Sequence, residues 1–145
     1  MTLTTSTFND GEAIPRRFTC DGDDIPPALA VADLPEGTRS QALIMDDPDA
    51  PKGTFTHWLV YDIPAAEGAL DVDSGKTLKN GFGRSGYGGP CPPPGHGTHR
   101  YYFTLYAVDV PSLTLKGRSR ADLEDALRTQ TLAKAAVMGR YERQR

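Results

Sequence analysis

Between Gly88 and Asp109 the chain reads Gly-Gly-Pro-Cys-Pro-Pro-Pro-Gly-His-Gly-Thr-His-Arg-Tyr-Tyr-Phe-Thr-Leu-Tyr-Ala-Val-Asp, and no other stretch limits the fold so tightly. Its Pro/Gly half can form neither a helix nor an inner strand, because proline fixes φ and lacks an amide donor. Its second half is an aromatic and β-branched run with a strong strand preference. At the junction His99 and Tyr101 stand two residues apart, so both point to one face of the new strand and Arg100 to the other. A rigid loop beside a strand start holds the gap between loop and sheet open. A small pocket is expected there.

Other segments read as strands joined by turns. Leu3 to Phe8 ends at the turn Asn9-Asp10-Gly11, and Leu29 to Leu34 closes at Pro35-Glu36-Gly37. Ser40 to Met45 is a buried strand running into Asp46-Asp47-Pro48-Asp49-Ala50-Pro51, and it is expected to pair with Phe55 to Ile63, which Pro64 stops. Arg100 to Val110 is the third strong strand. Ile14 to Pro27 reads as a long ordered loop, and Ala65 to Gly86 as a loop with fragments of strand at most. Near the C-terminus Ser119 caps a helix with Asp122 in its first turn and Leu123 and Leu127 as its core stripe. From Thr131 to Tyr141 the alanines favour helix while Gly139 and Tyr141 suit a strand end, so helix passing into strand is expected. Fifteen Gly and twelve Pro are spread along the chain, which favours one mostly-β domain over residues 1–145 rather than a helical bundle.

A net charge of −3 gives no basic footprint for nucleic acid. The N-terminus has neither the basic nor the apolar part of a signal peptide, and no apolar run has the length of a membrane span, so a cytoplasmic protein without integral membrane association is expected. Cys20 and Cys91 have no CxxC spacing, and two reduced thiols are expected in a cytosol.

Polar groups gather where strands meet stiff loops. Pro48 and Pro51 fix the backbone around Asp49, so Asp47 and Asp49 are presented at low entropic cost; His57 opens the next strand, and His99 and Tyr101 open the third. Taken alone, each is ordinary turn or core chemistry. Taken together, Asp47-Pro48-Asp49-Ala50-Pro51, His57-Trp58-Leu59-Val60 and Gly-Pro-Cys-Pro-Pro followed by Gly95-x-Gly97-x-His99-Arg100-Tyr101 resemble the phosphatidylethanolamine-binding protein family, in its bacterial and archaeal Raf-kinase-inhibitor-like branch. Cys20-Asp21-Gly22, Pro26-Pro27-Ala28-Leu29 and Gly139-x-Tyr141-Glu142-Arg143 extend the resemblance over nearly the whole chain.

The resemblance implies an antiparallel β-sandwich, here with one or two short C-terminal helices, and a pocket for phosphate-like or carboxylate-like anions. Its lining would be Asp47, Pro48, Asp49, Ala50, His57, Pro92, His99 and Tyr101, with backbone N–H groups around Cys91 or Gly97 facing the anion and Phe55 as an apolar wall. Where many members have glycine, this chain has Cys91, a side chain at the pocket. An Asp47 to His57 hydrogen bond is expected to favour the imidazolium and so reconcile two aspartates with an anion. The reading is a non-catalytic binding protein with no cofactor or metal. Its alternatives are a protease or kinase inhibitor acting through protein contacts, and an acid/base or metal-dependent hydrolase built on Asp47, Asp49, His57 and His99. Relatives in the bacterial branch suggest a homodimer.

Overall fold

The structure, a computed structural model, describes residues 1–144; Arg145 lies outside the described residues. The strands are β1 (Thr2–Thr5), β2 (Leu29–Ala32), β3 (Ser40–Asp47), β4 (Phe55–Pro64), β5 (Gly68–Ala69), β6 (Lys76–Thr77), β7 (His99–Val108) and β8 (Thr131–Tyr141), with the helix α1 (Arg120–Gln130) inserted before β8. They form two antiparallel sheets, β1-β2-β5 and β6-β4-β3-β7-β8, a sandwich with a helix on one outer face.

β3 lies at the centre of the larger sheet, and its nearly unbroken apolar sequence follows from having both faces covered. Leu43 and Met45 enter the layer between the sheets with Leu3, Val31, Trp58, Phe103 and Leu105, while Ala42 and Ile44 meet Leu59, Val108, Leu123 and Leu127 beneath α1. The helix starts at a capping box in which the Ser119 side chain accepts from the Asp122 N–H and the Asp122 carboxylate accepts from the Ser119 N–H. Arg120 then ties the helix to the sheet, donating to the Asp46 carboxylate and, at 2.9 Å, to Thr56 Oγ1.

One irregularity places a key side chain. Met45 pairs with Trp58 and Asp46 with Thr56, which leaves His57 as the extra residue of a β-bulge. Thr56 faces α1, yet His57 and Trp58 both face the layer between the sheets. Strict alternation would have sent these two neighbours to opposite sides.

Two expectations are corrected. Residues 131–141 are strand throughout, entered directly from α1 with no helical start. Eleven residues here lie beside β7 from His99 to Val108, and ladder pairing outweighs the helix preference of alanine. Nor are the cysteines free: Cys20 and Cys91 form a disulfide with their Cα atoms 5.4 Å apart. The pairing joins the long loop after β1 to the loop before β7, which lie far apart in sequence and meet only in the folded chain.

A bridge with a sequence separation of 71 removes about 4 kcal/mol of chain entropy from the unfolded state on the loop-closure model. The double variant Cys20→Ser, Cys91→Ser is therefore expected to lose about that much stability in denaturant titrations. A loss below about 1 kcal/mol would show that the bridge constrains the unfolded chain little.

Candidate functional site

The antiparallel register brings the C-terminal end of β3, the bulge of β4 and the N-terminal end of β7 together at one end of the larger sheet. Asp47, His57, His99 and Tyr101 converge there, with relative exposures of 3%, 3%, 2% and 0%. So compact a polar group at this depth is stable only if its members satisfy one another.

Asp47 is the hub. Its Oδ1 accepts the Asp49 N–H at 2.8 Å, an Asx-type turn stiffened by Pro48, and its Oδ2 accepts Nδ1–H of His99 at 2.6 Å. With Nδ1 so engaged, His99 presents Nε2 to Nδ1 of His96, 2.7 Å away. The result is a chain, Asp47 to His99 to His96, leading from a buried carboxylate to an exposed imidazole. In the neutral chain His96 donates to His99.

His57 does not bind Asp47 as expected. Its Nδ1 donates to the Gly88 carbonyl at 2.6 Å, and the Gly88 N–H donates back to the His57 carbonyl at 3.0 Å, which fixes the tautomer and leaves Nε2 as the remaining ring nitrogen. Burial is the main influence on this imidazole and lowers its pKa below the usual 6.5, against the opposing pulls of the Gly88 carbonyl and Asp47. The imidazolium is therefore disfavoured at His57. Its ring sits in an aromatic frame, 4.9 Å from Phe55, 5.5 Å from Phe82 and 5.2 Å from Tyr101 between centroids. A Cβ at Gly88 would lie 2.5 Å from the Phe82 ring, so a larger residue there would displace that ring from the frame.

Tyr101 is the unusual member. Its hydroxyl is buried and makes no hydrogen bond of ordinary geometry. Burial first, and then the negative charge of Asp47, push the phenol's pKa up, so it remains a neutral donor.

The other expected residues have different surroundings. Asp49 turns outward to Arg100, which donates Nη2–H to Oδ1 at 2.8 Å and both Nε–H and its backbone N–H to Oδ2 at 2.9 Å. That fork holds the carboxyl at about 2. Pro48 is exposed and borders an outer groove with Asp46, Arg100, Tyr102 and Arg120. Ala50 is half-buried in the β3–β4 turn, where its carbonyl accepts the Gly53 N–H. Cys91 is engaged in the disulfide, Pro92 is buried beside it, and Gly97 turns the loop with φ of +94°. No three His, Cys, Asp or Glu side chains form a metal-holding group among the described residues.

Sequence reasoning passed over His96 and Phe82. Two signals were available: the chain has only three histidines, all of which meet here, and Phe82 is the one large apolar residue in the run Gly81 to Ser85.

The profile of the phosphatidylethanolamine-binding protein family matches residues 4–142. A UPF0098 protein of Aquifex aeolicus is 51% identical over 152 residues, covering 99% of this chain and 89% of its own. A Mycobacterium tuberculosis chain named as a lipoprotein, LppC, is 36% identical over 146 residues, covering 98% of this chain and 72% of its own. The crystal structure of E. coli YbcL, described as a member of the mammalian PEBP family, matches with a TM-score of 0.88 at 30% identity over 97% of both chains. Architecture and site together define a two-sheet sandwich with a buried carboxylate–imidazole cluster at one end. The chain belongs to the phosphatidylethanolamine-binding protein family.

In an NMR pH titration, His57 is expected to keep its neutral, Nδ1-protonated form at pH values where an ordinary imidazole, with a pKa of about 6.5, is half charged. Protonation of His57 at or above that value would show that its burial is not the controlling influence.

Proposed function

We propose that the chain is a non-catalytic binding protein for a small phosphate- or carboxylate-bearing ligand, received where Asp47, His57, His99 and Tyr101 meet. The supporting observation is the Tyr101 hydroxyl, a buried neutral donor that approaches Asp47 but completes no hydrogen bond of ordinary geometry among the described residues. Burying such a donor unpaired costs about 1–3 kcal/mol, which an oxyanion would offset. Asp47 does not oppose the anion as a bare charge, because both its oxygens accept hydrogen bonds, one from the Asp49 N–H and one from His99. Neutral His57 offers its remaining nitrogen as an acceptor, which suits a ligand that brings one acidic O–H. Pro92 and the backbone near Gly97 are assigned to the rim, with Phe55 and Phe82 as the apolar wall. Asp49 is assigned a supporting role through Arg100.

The Cys20–Cys91 bridge also bears on the compartment. The expectation of a cytoplasmic protein rested on the N-terminal pattern and the lack of a span-length apolar run, and reduced cysteines were expected from it; the Cys20–Cys91 bridge instead favours oxidising surroundings. A relative that carries a lipoprotein name is in keeping with that. No helix among the described residues is long and apolar enough to cross a membrane.

Isothermal titration calorimetry with sulfate, inorganic phosphate and phosphoethanolamine tests the reading. Tyr101→Phe is expected to weaken each anion by about tenfold or more. Absence of saturable binding by all three anions would overturn the proposal.

A further inference from the structure

The disulfide is not needed for the anion chemistry, and its two sulfurs have different surroundings. Arg143 brings Nη1 to 3.7 Å from Cys91 Sγ. The guanidinium is held there by its Nε, 3.2 Å from Asp21 Oδ1, and the backbone is anchored by the Arg143 carbonyl, which accepts the Gly95 N–H at 3.0 Å. Cys20, by contrast, is followed directly by Asp21, whose carboxylate forms the ion pair with Arg143 and accepts a hydrogen bond from the Tyr141 hydroxyl at 2.6 Å. Both cysteines are half-buried rather than sealed in the core. A fixed cation beside a sulfur favours its thiolate, and in thiol–disulfide exchange the sulfur that forms the more stable thiolate leaves faster.

We propose that Cys20–Cys91 is a thiol-exchange site for a dithiol reductant, attacked at Cys20 with Cys91 as the leaving group. A thiolate of the reductant forms a new S–S bond to Cys20 Sγ as the Cys20–Cys91 bond breaks. The electron pair of the broken bond goes to Cys91 Sγ, which departs as a thiolate beside Arg143. The second thiol of the reductant, once deprotonated, attacks the reductant's own sulfur in the mixed disulfide and expels Cys20 as a thiolate, which takes up that proton. Two electrons have then passed to the bridge, and the reductant leaves as its own disulfide.

Exchange acts on the loop that carries Pro92 and His96. Three tethers between the loops survive it: the Cys20 N–H to the Pro90 carbonyl at 3.1 Å, the Gly89 N–H to Asp24 Oδ1 at 2.8 Å and the Tyr87 hydroxyl to the Phe18 carbonyl at 2.6 Å. Reduction therefore loosens the Cys91 to Gly97 segment without unfolding the sandwich, and that segment holds the exposed end of the histidine chain.

The test is kinetic and needs no anion. The folded protein is treated with dithiothreitol at neutral pH, or with 2-mercaptoethanol for adduct mapping, then acid-quenched and analysed by mass spectrometry. The expected result is reduction at a rate proportional to thiol concentration, with the mixed disulfide on Cys20. Arg143→Gln should slow reduction by about fivefold and reduce the preference for Cys20, while Arg143→Lys keeps both. Circular dichroism confirms that each variant is folded before its rate is read. A rate independent of thiol concentration, as when unfolding limits access, would overturn the proposal. So would an adduct on Cys91, or a folded Arg143→Gln that behaves as wild type.

Discussion

The site depends on one interaction, the hydrogen-bonded pair between the buried carboxylate of Asp47 and Nδ1 of His99. Each partner would be costly alone at this depth, and together they satisfy each other. The pair also directs what surrounds it. Because His99 uses Nδ1 on Asp47, its Nε2 must face the loop, and that nitrogen fixes where His96 lies. Because Asp47 Oδ1 takes the Asp49 N–H, the turn after β3 is set, and Asp49 is left to grip Arg100 on the opposite face.

The larger sheet brings this pair together, and the loops keep it in place. β3 and β7 are neighbours with Asp46 opposite Tyr102, which carries Asp47 next to the start of β7. The bulge in β4 adds His57 to the same face. Around them, the segment 87–97 is held on one side by Phe18, Asp24 and Cys20 and on the other by the Arg143 carbonyl. Stiff prolines, a disulfide and short hydrogen bonds leave this loop little conformational freedom. The same loop carries His96 at one end and Cys91 at the other.

Much of this was legible in the sequence wherever local chemistry decides the outcome. The three strong strands, the Ser119-capped helix and the opposite facing of Arg100 against His99 and Tyr101 all follow from periodicity and capping. What was not legible depended on tertiary partners. The alanines of 133–136 became strand because β7 lay alongside. Cys20 met Cys91 because two loops cross. The acceptor for His57 turned out to be a backbone carbonyl, which no side-chain pattern signals, so the expected Asp47 contact went to His99 instead. His96 was missed because a histidine between two glycines in a proline-rich loop has no periodic neighbour to mark it.

Asp47 fixes the tautomer of His99 and, through it, the direction of the histidine chain. Long-range proton–nitrogen NMR at neutral pH reads this directly. The account predicts that the His99 resonances show a proton on Nδ1, shifted far downfield by a short hydrogen bond to a carboxylate, and that Asp47→Asn abolishes the downfield signal. A His99 protonated only at Nε2, or a signal unchanged in Asp47→Asn, would contradict it.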